Sequence, residues 1–179
     1  MMKIRDFTHR IRGRFIIGAL NNVIDKDSIV LDYGYGNGLI SSIIKNKSKC
    51  NVWVTDCEKS SECSLPFLSL TTLQERVWHD FFDCVLLIDT LHHIPKNKQE
   101  ETLKFAKSLG RKVFVFETAP SIGAYCIDFI NSLSGMPTPY AFRTPNEIMF
   151  IVDDIPEIVE TPWWYPLKHY SVILEKKNG

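Results

Sequence analysis

Apolar residues recur along this chain in two rhythms. In residues 7–24, Phe7, Ile11, Phe15, Leu20 and Val23 fall at helical spacing, interrupted by Gly13 and Gly18, and predict one or two short leading helices. Ser28-Ile29-Val30-Leu31-Asp32 is a compact apolar run ended by glycines, and Leu39, Ile40, Ile43 and Ile44 then follow in a helical pattern. Strand, glycine-rich turn and helix are the expected order. Asn51-Val52-Trp53-Val54-Thr55 predicts a second strand, and residues 67–69 a short third whose start Pro66 limits. The intervening residues 56–65 are too few for a full crossover helix. Cys84-Val85-Leu86-Leu87-Ile88 is the strongest buried-strand signal, with a helix expected at about residues 98–107, and Val113-Phe114-Val115-Phe116 repeats the strand pattern.

These strands read as continuous apolar runs without polar alternation, and helical patterns separate them. That combination predicts an α/β fold with a parallel sheet covered on both faces. The tail differs. Thr144 is placed as an N-cap with Pro145 at the first helical position, and Ile158-Val159-Glu160 and residues 169–174 then predict two strands joined only by a loop, hence an antiparallel pair at the sheet edge. With 179 residues and no linker or repeat, one domain is expected: residues 1–27 as a helical cap and residues 28–179 as the core.

Composition narrows the partners. The 21 basic and 21 acidic residues cancel, so no global field draws the chain to nucleic acid or anionic lipid. Lys3, Arg5, His9, Arg10, Arg12 and Arg14 concentrate positive charge near the start, and a solvated helix face accounts for them. Charges every few residues leave no room for a signal peptide, and no apolar run is long enough to span a bilayer, so the expected location is the cytoplasm. Cys50, Cys57, Cys63, Cys84 and Cys126 lack paired metal-ligand spacing; reduced thiols and no metal are expected.

The chemistry concentrates around Val30-Leu31-Asp32-Tyr33-Gly34-Tyr35-Gly36-Asn37-Gly38. Three glycines at alternate positions between strand and helix permit a tight turn and close approach of a ligand to the backbone, although a purely structural turn uses the same residues. Asp56 ends the second strand, 22 residues after Gly34, where a Rossmann-type unit sets a carboxylate against a ribose; two oxygens suit a diol, and a surface turn is the plain alternative. Asp32, just ahead of the glycines, suits a ligand carrying an amino group and a sulfonium and would be a poor neighbour for a pyrophosphate.

In these residues the sequence resembles the class I S-adenosylmethionine-dependent methyltransferases, small type 11-like members in particular. The resemblance runs over about residues 30–175: the glycine motif from Leu31 to Gly38, Asp56, the run Phe82-Asp83-Cys84-Val85-Leu86-Leu87-Ile88-Asp89-Thr90-Leu91-His92-His93-Ile94, residues 113–117, and the terminal antiparallel pair. It implies a Rossmann-like doubly wound sheet, mostly parallel, that binds S-adenosyl-L-methionine. It also implies that Gly34, Gly36 and Gly38 form the cofactor turn, that Asp32 holds the amino group, that Asp56 with the adjacent Cys57 takes the ribose side, and that Asp89 lines the pocket. Two departures stand out. The stretch Ser69-Leu70-Thr71-Thr72 has no acid for the adenine amine, and the short link between strands two and three implies a reduced element there.

Methyl transfer needs alignment above all, and a base only where the acceptor must lose a proton. His92 and His93 follow the strongest strand at its carboxyl end and are the base candidates, His93 slightly ahead, with a pocket-lining role as the alternative; Glu117, ending the fifth expected strand, is a further candidate. Residues 119–143, rich in Ile122, Tyr125, Ile127, Phe129, Ile130, Leu133, Met136, Tyr140 and Phe142, suit a small hydrophobic or aromatic methyl acceptor, or else ordinary core packing, and Arg143 is read as a plain surface residue, with pairing to an acidic group on the acceptor as the alternative. Competing readings are an NAD-dependent oxidoreductase, a methyltransferase-like binding protein without turnover, and an RNA or protein methyltransferase.

Overall fold

The computed structural model describes residues 4–76, 78–133, 141–152, 157–160 and 168–175. Its centre is a six-stranded sheet in the order β2-β1-β3-β4-β6-β5. The strands are β1 (Ile29–Tyr33), β2 (Asn51–Thr55), β3 (Phe82–Ile88), β4 (Gly110–Thr118), β5 (Glu157–Glu160) and β6 (His169–Glu175). The first four are parallel, β6 runs antiparallel to β4, and β5 runs antiparallel to β6. The terminal pair is thus antiparallel as expected; β6 lies inside the sheet and β5 forms the edge.

The continuous apolar runs have a simple cause. Alternate residues of one strand enter opposite layers, and both layers are apolar. From β3, Cys84, Leu86 and Ile88 pack with Ile16 and Leu20 of α1 (Ile4–Leu20) and Ile40 and Ile44 of α2 (Leu39–Ser48). Val85 and Leu87 face the other way, onto Leu103, Ala106 and Leu109 of α4 (Lys96–Leu109) and Ile148 of α6 (Pro145–Val152). Period two is present in the geometry but hidden in the sequence.

The leading segment is one helix, not two. Gly13 supports this continuity: a Cβ there would stand 3.4 Å from Ile43, so the missing side chain lets α1 lie close on α2. The third expected strand is reduced to one parallel bridge, Val54 to Phe67, held by Val54 N–H on the Pro66 carbonyl and Leu68 N–H on the Val54 carbonyl, each 2.9 Å. Pro66 lacks an N–H, yet its carbonyl still pairs. The short α3 (Leu70–Glu75), absent from the sequence-based expectation, follows directly; Ser69 caps it by accepting from Thr72 N–H. Residues 56–65 form no helix and fold back on the glycine turn, where Ser60 N–H donates to the Tyr35 hydroxyl.

α5 (Ile122–Leu133) follows β4; Thr144 caps α6 as predicted, and Glu147 accepts in return from the Thr144 N–H, which makes the cap reciprocal. Met136 and Tyr140, noted in the sequence, lie outside the described residues. Gln99 ties this region together. It is fully buried, its amide nitrogen reaches the carbonyls of Leu91, Ile94 and Ala141 at 2.8–3.2 Å, and its oxygen accepts from Arg143 Nε. Arg143 is therefore a structural partner and not a plain surface side chain. Gln99→Leu keeps the volume but strands three carbonyls; a loss of about 2–4 kcal/mol is expected in urea unfolding. An unchanged midpoint would contradict this role.

Candidate active site

β1 has β2 on one side and β3 on the other, so the chain reverses direction across the sheet at β1. In such sheets a crevice opens outside the carboxyl ends of the two strands that diverge there. The glycine turn occupies that position, and the three glycines are used differently. All have left-handed φ, +82° for Gly34, +58° for Gly36 and +77° for Gly38. A Cβ on Gly34 would meet Thr90 Cγ2 at 2.4 Å, and one on Gly38 would meet Cys63 Sγ at 2.4 Å. Gly36 alone of the three has nothing within 4 Å of that position. Two glycines are demanded by protein packing; the third leaves open space above the backbone.

Four carboxylates converge on this edge. Asp56, half-buried after β2, accepts from Gly36 N–H at 3.1 Å with one oxygen and from Cys57 N–H at 2.7 Å with the other; Cys57 itself is exposed. A polar hollow of about 520 Å³, lined by Gly36, Asn37, Lys59, Ser60, Ser61 and Glu62, opens beside them. Asp32 is 2% exposed within β1. Its Oδ2 accepts from Ser41 Oγ at 2.5 Å, and its Oδ1 is buried with no hydrogen-bond partner. Burial pushes this carboxyl up to about 6, against the lowering effect of Ser41.

Asp89 follows β3 in a left-handed conformation, φ +48°, which a non-glycine residue adopts only when its surroundings hold it there. Its N–H donates to the Phe116 carbonyl, its Oδ2 lies 2.5 Å from Arg12 Nη1, and its Oδ1 is 3.7 Å from His169 Nε2. Glu117, ending β4, is buried and fully used: Oε1 accepts from Thr90 N–H (2.8 Å) and Leu91 N–H (2.6 Å), and Oε2 pairs with His92 Nδ1. Burial pushes Glu117 up. Burial alone would pull His92 down, but the bond to Glu117 and the charges of Glu117 and Asp89 outweigh it and hold the imidazole above its ordinary 6.5.

His92 and His93 thus differ. Both stand on a one-turn 3-10 segment, Leu91–His93, but His92 is buried and anchored, whereas His93 is exposed with its ring 4.3 Å from that of His92. Phe142 lies 5.5 Å from the His92 ring and meets Tyr125 edge to face. Donor atoms of Asp89, His92 and Glu117 also fall within 4.8 Å of one another, the spacing of a metal-ligand set. Here His92 and Glu117 are engaged with each other, and Asp89 with the Arg12 cation.

Two participants escaped the sequence reading. Helical charge patterning places Arg12 on a solvated face, and local pattern shows His169 only as the start of a strand. An antiparallel strand enters the sheet at the edge where the parallel strands end, so its first residue necessarily lies among their carboxyl termini. That rule would have found His169. No comparable local signal existed for Arg12.

Gly34→Ala should cost roughly 3 kcal/mol or more, from left-handed strain plus overlap with Thr90, and Gly36→Ala only about 1–2 kcal/mol. Urea unfolding of both variants checks this; equal losses would refute the distinction. Asp32 adds a pH test. Its carboxyl is raised in the folded chain, so the folded state holds a proton that the unfolded chain releases above about 3.8. Its stabilising contribution is full below that value and is lost as pH rises through about 6. Asp32→Asn should therefore be more stable than the parent near pH 7.5 by up to about 3 kcal/mol, with the gap closing near pH 4.5.

No protein-family model and no curated protein matches the sequence. Solved structures do. A SAM-dependent methyltransferase from Archaeoglobus fulgidus superposes with a TM-score of 0.71 at 14% identity, covering 98% of this chain and all of that one. The 1,6-didemethyltoxoflavin-N1-methyltransferase of Burkholderia thailandensis, with bound 1,6-didemethyltoxoflavin and S-adenosylhomocysteine, gives 0.69 at 15% identity, covering 96% of this chain and 79% of that one. The magnesium protoporphyrin IX methyltransferase of Synechocystis, with bound S-adenosylhomocysteine, gives 0.61 at 16%, covering 96% and 88%. With the strand order and the antiparallel terminal pair, these likenesses show that the chain has the fold of the class I S-adenosylmethionine-dependent methyltransferases.

Proposed function

We propose that this chain is an S-adenosylmethionine-dependent methyltransferase acting on a small hydrophobic or aromatic acceptor, with residues 1–27 as a cap and residues 28–179 as the core of one catalytic domain. The observation that carries the reading is the open backbone at Gly36, hydrogen-bonded to Asp56 at the switch point, beside the half-partnered buried Asp32. An orphaned anionic oxygen in a buried site suits a cationic ligand group. Asp56 is set to accept the two ribose hydroxyls, Gly36 to admit the cofactor against its backbone, and Asp32 to face the amino group.

When bound, the cofactor supplies a methyl group already activated by its positive sulfur. The protein must align the acceptor and remove its proton where it carries one. His92 is the base this reading selects over His93. Its Nδ1 is committed to Glu117, leaving Nε2 to take the proton, and the buried carboxylate stabilises the imidazolium that forms. Phe142, beside the His92 ring, and Tyr125, packed edge to face on Phe142, supply an aromatic wall on that side of the histidine. The Burkholderia neighbour, holding 1,6-didemethyltoxoflavin and S-adenosylhomocysteine together, is a precedent for a small acceptor in this fold. No described helix is long and apolar enough to cross a membrane.

Isothermal titration tests the cofactor. S-adenosylmethionine and S-adenosylhomocysteine should bind saturably, Asp56→Ala should weaken both by about 10- to 100-fold, and NAD should not bind; NAD binding alone would overturn the reading. The base can be tested without knowing the acceptor. NMR titration of the His92 ring should give a midpoint above 6.5 in the parent chain and a lower one in Glu117→Gln, because burial then acts without the opposing charge. A midpoint that does not move would remove Glu117 from this role.

A further inference from the structure

The Arg12–Asp89 pair needs a reason. It joins residues 77 apart in sequence, with side chains only 24% and 14% exposed. Desolvating both charges costs much of what their attraction returns, so such a pair is weak as a device for stability alone. Its location is specific. Gly13, the next residue, seats α1 against Ile43 of α2, and Thr90, next to Asp89, packs onto Gly34 of the cofactor turn. Arg12 therefore enters the crevice from the cap while Asp89 enters from the sheet. The guanidinium also acts electrostatically on Asp32 and His92, lowering both, as a cation facing the same crevice must.

Around Arg12, two carboxylate oxygens are buried without a hydrogen-bond partner, Asp89 Oδ1 and Asp32 Oδ1. One cation and two under-used anions at the cofactor turn match a zwitterion that presents its carboxylate to the first and its ammonium to the others. The methionine end of the cofactor is such a zwitterion. Resting on the cofactor reading above, we infer that Arg12 is a cofactor-binding residue: its guanidinium takes the carboxylate of the amino-acid end, while Asp89 and Asp32 take the ammonium. The cap helix is then part of the cofactor site and not only a cover. Guanidinium is suited to the task because its planar fork can engage both oxygens of a carboxylate, which a lysine ammonium cannot.

Three ligands isolate the contact: S-adenosylhomocysteine, its decarboxylated amine analogue, which keeps the ammonium and lacks the carboxylate, and 5′-methylthioadenosine, which lacks both. Affinities are measured by titration calorimetry on the full chain, with circular dichroism and thermal melts to verify folding. In the parent chain, removing the carboxylate should weaken binding about 10- to 100-fold. In Arg12→Met, S-adenosylhomocysteine should fall by that factor, the decarboxylated analogue and methylthioadenosine should stay within about 2-fold, and the preference for the carboxylate should vanish. Arg12→Lys should retain part of it, and carries the test if the Met variant does not fold. Equal weakening of all three ligands by Arg12→Met would make the pair a structural latch and overturn the inference, as would a parent chain indifferent to the carboxylate. A parent chain that binds none of the three would instead defeat the cofactor reading itself, and the inference with it.

Discussion

Four carboxylates brought to one edge of a sheet must each be given a donor, and much of the structure around the crevice answers that demand. Parallel strands end on the same side, so residues 32, 56, 89 and 117 converge however far apart they stand in sequence. Left unpaired in a partly buried space they would repel one another and take up protons. The structure distributes different donors among them: a hydroxyl from α2 for Asp32, the backbone N–H groups of Gly36 and Cys57 for Asp56, a guanidinium from α1 for Asp89, and two backbone N–H groups with an imidazole for Glu117. α1, the glycine turn and the histidine turn are all held partly through these bonds.

The same constraint separates scaffold from chemistry. Glu117 is saturated by donors and locks the turn after β3 to the end of β4, so removing it would disturb geometry as well as charge. Asp32 and Asp89 each keep an oxygen without a hydrogen-bond partner, a cost that packing does not explain and a cationic ligand would. Gln99 performs the complementary task for carbonyls, gathering those of Leu91, Ile94 and Ala141 and so fixing the segment that carries Phe142 against His92.

Likeness of fold at 14–16% identity follows from how little the architecture specifies. A doubly covered parallel sheet asks for apolar residues on both faces and accepts many choices among them. The turn asks for left-handed backbone at Gly34, Gly36 and Gly38. The third strand survives as one bridge because the two backbone bonds around Val54 are enough to direct the chain into α3.

From its sequence alone the chain determined its strands and most of its helices, the glycine turn, the N-cap at Thr144 and the positions of Asp32, Asp56 and Asp89, because period, turn residues and order along the chain are local properties. The missing crossover helix was legible as well, from the brevity of residues 56–65, whereas the shrinking of the third strand to one bridge was not. Tertiary structure alone decided that Gly34 and Gly38 serve packing while Gly36 stays open, that His92 and not His93 joins Glu117, and that Arg12 and His169 meet at Asp89. These are pairings between residues as far as 80 positions apart. Which charges become neighbours depends on how elements are laid across the sheet, and no local pattern of residues carries that information.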